Sequence, residues 1–124
     1  MRTSKSSETF TIERHGDLTL IAANPALEFL DPGLEEEAAE VILNSVRDQA
    51  SPLLLFDLSE VKFFGSMFVG ILLRCWKLTT SRGGMMALAG VSNHAKELLH
   101  LTSLDMIWPM YKDRREGMEA LLSD

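Results

Sequence analysis

Apolar and polar residues alternate over Phe10–Glu13 and again over Leu18–Ala23, with His15-Gly16-Asp17 between the two runs. A period of two marks strands with one face buried, and Gly beside Asp supplies the backbone freedom of a tight turn, so the pattern predicts a β-hairpin. Asn24–Gly33 holds Pro25, Pro32 and Gly33 and reads as a loop. It ends in a helix start, since Asp31 can accept free backbone N–H bonds and Pro32 suits the first helical position. From Leu34 the period lengthens: Leu34, Ala38, Val41, Ile42 and Val46 recur at helical spacing, and Ser51-Pro52 stops the helix. Leu53–Phe56 is then an unbroken apolar run closing at Asp57. A run without alternation predicts a central strand covered on both faces, as in a parallel sheet flanked by helices.

Glu60–Phe64 reads as a connection to Gly65-Ser66, followed by a second helix over Met67–Thr80 that Gly83-Gly84 ends. Its apolar residues, among them Phe68, Ile71, Leu72, Cys75 and Trp76, cover more than the stripe of about 100° expected of a surface helix. The helix is therefore buried all round or meets a partner, and Met67 and Trp76 are open to either role. Met85–Ala89 predicts another buried strand, Asn93–Leu101 a third helix, and Ile107–Tyr111 a last short strand. Asp113 with Glu116 resembles a capping box opening a final helix with Met118, Leu121 and Leu122 on its apolar side. The reading is an α/β fold: a mixed four- to five-stranded sheet with about four helices in the order ββ-α-β-α-β-α-β-α, joined by right-handed crossovers. Residues 1–7 are polar without period and read as a flexible leader, and 8–124 as a single domain.

Composition narrows the function. The 124 residues suffice for one core, and 46% apolar with 24% charged residues is an ordinary globular balance. A net charge of -6 argues against nucleic-acid binding, which needs clustered Lys and Arg. The most apolar stretch, Met67–Leu73, is interrupted by Arg74 and Lys77, short of the roughly 20 residues of a membrane span. No apolar run follows the polar N-terminal residues, so no secretory signal is read and a cytoplasmic location is expected. Cys75 is the single cysteine, in an apolar stretch, and core packing is its expected role.

Few residues offer chemistry. Asp57 closes a buried strand, where a carboxylate usually caps the following loop. His94 and His100 lie six apart and cannot form the i, i+4 pair of a zinc helix, and His15 sits in a turn; all three are expected at the surface. Glu35–Glu37 is explained by the helix dipole. Arg82-Gly83-Gly84 follows a helix rather than preceding one, which suits a C-cap and not a phosphate cradle. No nucleophile, base and acid occur in a recognisable context, so an enzyme built on Ser66, Asp57 and a histidine is disfavoured, and no metal or cofactor is expected.

The segment Leu53–Tyr111 resembles the STAS family of sulfate transporters and anti-sigma-factor antagonists. The likeness runs through Asp57-Leu58-Ser59, Val61-Lys62-Phe63-Phe64, Gly65-Ser66-Met67-Phe68-Val69-Gly70, Leu72-Leu73-Arg74, Arg82-Gly83-Gly84, Gly90-Val91-Ser92 and Leu98–Asp105, in the family's order. It implies the STAS fold and a non-enzymatic, protein-binding regulator in a bacterial partner-switching pathway. By position, Ser66 matches the serine that an anti-sigma factor with serine-kinase activity phosphorylates. Gly65, Ser66, Met67, Phe68 and Gly70 are the implied contact residues. The chain departs from the family where Gly65 replaces the usual acidic residue and Met67-Phe68 replace Ser-Gly. That departure removes a carboxylate beside the hydroxyl and adds apolar area expected to be exposed. The alternatives are a phosphorylation-independent adaptor and a STAS subunit of an ABC-type lipid transport system docking on an ATPase. Ser66 as a plain helix N-cap is the structural alternative. Nucleic-acid binding and membrane insertion are not expected, and the chain is expected to be a monomer or weak dimer.

Overall fold

The computed structural model describes residues 4–6, 10–25, 35–63 and 65–123, with the backbone alone at 4–6, 35, 66 and 67. The elements are β1 (Ser4–Ser6), β2 (Phe10–His15), β3 (Leu18–Ala23), α1 (Glu35–Val46), β4 (Leu53–Asp57), α2 (Ser66–Ser81), β5 (Met85–Ala89), α3 (Asn93–Leu101), β6 (Met110–Tyr111) and α4 (Arg114–Leu122). β6 is shorter than the Ile107–Tyr111 strand the sequence pattern predicts, and a short 3-10 turn, Leu104–Met106, precedes it. The predicted Asp31 and Pro32 helix start and Leu34 lie outside the described residues.

The strands form one sheet in the order β1-β2-β3-β4-β5-β6. β1, β2 and β3 pair antiparallel, and β3 to β6 run parallel. The hairpin register places His15 opposite Leu18, so Gly16 and Asp17 form a two-residue turn. Ser4–Ser6 pairs with Glu13, Ile12 and Thr11 as an edge strand, so this part of the supposed leader extends the sheet. Pairing there is through backbone groups, and Ser-Lys-Ser offers no hydrophobic alternation by which the strand could be read.

The three crossovers β3-α1-β4, β4-α2-β5 and β5-α3-β6 all step in the same direction across the sheet. Crossovers of one hand stepping in one direction place their helices on one face. The core divides accordingly. Ile21, Leu54, Phe56 and Leu88 pack beneath residues of α1, α2 and α3, including Ile42, Ile71, Cys75 and Leu99. On the other face Leu18, Leu20, Leu55, Ala87 and Ala89 pack against Leu121 and Met118 of α4. β4 contributes to both clusters, which is why its sequence does not alternate.

α2 ends in a Schellman arrangement: Gly83 has φ +71°, its N–H donates to the Thr80 carbonyl at 3.1 Å, and the Gly84 N–H donates to the Thr79 carbonyl at 2.8 Å. Arg82 Nη1 donates to the Gln49 carbonyl at 2.9 Å and also to the Arg47 carbonyl, tying the end of α1 to the end of α2. Both predicted α3 and α4 starts are capped. Ser92 Oγ accepts from the Ala95 N–H at 3.1 Å, and Asp113 Oδ1 accepts from the Glu116 N–H at 2.9 Å.

Candidate functional site

The carboxyl ends of β4 and β5, the loops that leave them and the start of α2 hold the residues the sequence singles out around Ser66. β4 ends in Asp57, which is 5% exposed. Its Oδ1 accepts from the Ser59 N–H at 3.0 Å, while its Oδ2 takes Arg114 Nε at 2.8 Å and Arg114 Nη2 at 2.7 Å. The carboxylate therefore turns the chain out of the strand and clamps the first turn of α4, as expected of a loop-capping residue. The Leu58 N–H donates to the Ala89 carbonyl at 2.8 Å and the Val61 N–H to the Leu58 carbonyl at 3.0 Å, holding the loop against β5. Gly90, with φ +68°, lets that loop pass, since a Cβ there would lie 2.9 Å from Ser59 Cβ.

Beyond Val61 the loop rises to the surface. Phe63 is 50% exposed, and its ring meets the His94 imidazole edge-on with centroids 4.6 Å apart. Ser92 Oγ, besides capping α3, donates to the Lys62 carbonyl at 2.8 Å. One hydroxyl thus fixes the loop before α2 to the start of α3. The sequence reading quotes Phe63 and Ser92 within the family-like motifs but gives neither a role; a Phe in a polar connection and a Ser three residues before Ala95 are the signals that could have assigned one.

Gly65 is exposed and is the N-cap of α2, with φ -100° and ψ -167° and no side-chain cap bond. Ser66 is the first helical residue, so the simple N-cap role falls to Gly65 and not to Ser66. The side chains of Ser66 and Met67 lie outside the described residues. Phe68 is 2% exposed, with its ring 6.3 Å from Phe10 and 6.4 Å from Phe56 between centroids. The expectation that Phe68 adds exposed apolar area is corrected: at 100° per residue it falls on the same side as buried Ile71, Leu72, Cys75 and Thr79. Gly70 is half-buried, and Trp76 is half-buried against the core.

The other candidates are dispersed. His94 and His100 are exposed, and His100 Nδ1 lies 2.9 Å from Asp105 Oδ2. His15 is half-buried beside Glu13 at 3.0 Å. Cys75 is fully buried, and desolvation pushes its thiol from 9.0 up to about 12 against the smaller opposing field of Arg74. Among the described residues, no group of three His, Cys, Asp or Glu is placed to hold a metal ion, and no helix is long and apolar enough to cross a membrane.

The STAS domain family model matches residues 3–117. The chain belongs to the STAS domain family. Among solved structures, an anti-sigma-factor antagonist (STAS) domain protein from Planctomyces limnophilus is 30% identical, with 92% of this chain and 98% of that one covered at a TM-score of 0.82. An anti-sigma factor antagonist from Mycobacterium paratuberculosis is 23% identical, covering 99% and 96% at 0.72. The anti-sigma factor antagonist SpoIIAA in its unphosphorylated form is 17% identical, covering 90% and 94% at 0.75; these last two likenesses are of fold. Comparison with curated proteins gives no match. The mixed sheet and four helices of this STAS domain are the architecture of these neighbours.

Proposed function

We propose that this STAS domain is an anti-sigma-factor antagonist: a cytoplasmic, non-catalytic regulator that binds an anti-sigma factor with serine-kinase character through the start of α2. Gly65, Ser66, Met67 and Gly70 lie in the contact segment, joined by Phe63 and His94 from the adjoining loops, while Phe68 anchors the helix from below. Ser66 is the candidate phosphoacceptor. The observation that carries this reading is the exposed N-cap Gly65, which makes no side-chain cap bond, close in the chain to half-exposed Phe63.

A phosphate on Ser66 adds about -1.5 to -2 charges at neutral pH. At the first helical position it meets free backbone N–H groups and the favourable end of the dipole, and the first turn carries no acidic side chain to oppose it. The fold tolerates the charge, and the partner experiences it. A phosphorylation-independent adaptor is the second reading, favoured by Gly65 in the place of an acidic residue. A Cβ at Gly65 would meet nothing within 4 Å, so sterics do not account for the missing carboxylate.

The test is co-purification from the native cell with intact-mass measurement of the recovered chain. Recovery of an anti-sigma factor, with Ser66→Asp weakening its binding, supports the switch. An unchanged affinity for Ser66→Asp leaves the adaptor, and capture of no regulator of this class refutes the proposal.

A further inference from the structure

Charge is unevenly placed in this chain. The net charge is -6, yet Val61–Lys96 contains no Asp or Glu, while Lys62, Arg74, Lys77, Arg82 and Lys96 fall within it. α1 carries the opposite sign only, at Glu35, Glu36, Glu37 and Glu40. α1 packs beside α2, but the ion pair made by Glu40 goes to Arg47 at 3.1 Å. None of the ion pairs among the described residues involves Arg74 or Lys77.

The geometry of α2 puts these two cations where the candidate contact lies. Phe68, Ile71, Leu72, Cys75 and Thr79 are buried and centre on one side of the helix. At 100° per residue, positions 66, 70, 73 and 77 centre on the opposite side, with 74 at its flank. Along that stripe Gly70, Leu73 and Arg74 are half-exposed and Lys77 is exposed. A small residue, a partly open leucine and two cations that make no ion pair among the described residues follow one another from the candidate phosphoacceptor towards the end of the helix.

We infer that the partner docks along this outward stripe of α2 through an acidic surface patch that Arg74 and Lys77 engage. The inference rests on the proposed role of α2 as the contact helix and adds the chemistry of what it contacts. A protein patch fits better than a nucleic acid, because a long polyanion is repelled by the overall negative charge and by the acidic ridge of α1 alongside. The same charges explain a switch at Ser66. Residues 74 and 77 lie about 12 and 16 Å along the axis from residue 66, beyond a Debye length of about 8 Å at physiological salt, so neither neutralises a phosphate there. An acidic patch long enough to reach from the cations to the start of α2 would meet that phosphate directly and be repelled by it.

The experiment uses the partner recovered from the native cell, identified by mass spectrometry, purified and titrated calorimetrically against the full chain. Arg74→Glu/Lys77→Glu is expected to weaken binding by about tenfold or more, and Arg74→Gln/Lys77→Gln by less. Wild-type affinity is expected to fall as salt rises from roughly 50 to 300 mM, because the exposed charges are screened. Circular dichroism and melting of each variant check the fold, and the Gln pair guards against an effect of introduced acid. Glu36→Lys/Glu37→Lys on α1 is expected to leave binding unchanged or tighter. Unchanged affinity for both α2 pairs, alongside weakening by Ser66→Asp, overturns this inference while leaving the proposed function intact. Loss of binding through Ser66→Asp and the α2 pairs alike supports both. Equal weakening by the α1 and α2 reversals, with concentration-dependent dimers in sedimentation, assigns the stripe to a second copy and overturns it. Tight, α2-dependent binding of a single-stranded oligonucleotide does the same, and failure to recover any partner removes this inference with the function beneath it.

Discussion

The bond between Asp57 and Arg114 ties the strand end that feeds the candidate site to the helix on the far face of the sheet. Its strength can be worked from geometry. Asp57 is 6% exposed at its side chain and Arg114 45%, and two guanidinium nitrogens converge on one carboxylate oxygen at 2.7 and 2.8 Å. A fully exposed pair is worth about 0.2–1 kcal/mol, and breaking a fully buried one costs about 3–5 kcal/mol. With one partner buried and the other half in water, the expected coupling is about 1.5–2 kcal/mol. Arg114→Ala leaves Asp57 desolvated with the Ser59 N–H donating to it, and should cost about 2–3 kcal/mol. Asp57→Ala also loses the turn at Ser59 and should cost a similar amount. The double variant should cost clearly less than the two singles together. Urea unfolding of the four proteins gives the cycle, and for a domain of this size each kcal/mol corresponds to about 3–5 °C in Tm. The coupling should largely survive high salt, because burial of the carboxylate limits screening. A coupling below about 0.5 kcal/mol would show the pair to be an ordinary surface contact and refute the assignment of Asp57 as the clamp of this loop.

Other perturbations test the remaining parts of the site. Ser92→Ala removes both the α3 cap and the bond to the Lys62 carbonyl and should cost about 1–2 kcal/mol, with faster amide exchange across residues 59–63; protection equal to wild type would exclude the tie. Gly65→Asp fits open space and extended backbone and supplies the missing side-chain cap, so chemical denaturation should show α2 stabilised by a few tenths of a kcal/mol to about 1 kcal/mol. Cys75 should resist iodoacetamide in the native state and react on unfolding, because its thiol is buried and protonated up to about pH 12. Its linkage has a definite sign. Below pH 9 both states hold the proton; between 9 and 12 the unfolded thiol ionises while the native one does not, so stability falls as pH rises. Cys75→Ala should remove up to about 1.4 kcal/mol per pH unit from that alkaline slope, and a slope equal to wild type would contradict the burial effect.

Much of this architecture is local in origin. The alternation of Phe10–Glu13 and Leu18–Ala23, the helical spacing from Ala38 to Val46 and the unbroken run Leu53–Phe56 each satisfy a periodicity that a short segment expresses alone, and the elements form where that pattern places them. The caps at Ser92 and Asp113 are equally short-range, since an oxygen and an N–H three residues apart meet in any helix start. Ser4–Ser6 could not be read in this way, because an edge strand pairs through backbone groups that every sequence possesses. Nor could the fate of Phe68: α2 is apolar around most of its circumference, and its amphipathic pattern does not say which apolar residues face the sheet until neighbouring strands and α1 take their places. The exposed Phe63 against His94, the Ser92 hydroxyl on Lys62 and Arg114 on Asp57 join segments far apart in sequence. Propensity and period fixed the pieces of this STAS domain, because they act over a few residues. Tertiary packing decided which surface the start of α2 presents, because that depends on which distant side chains bury one another.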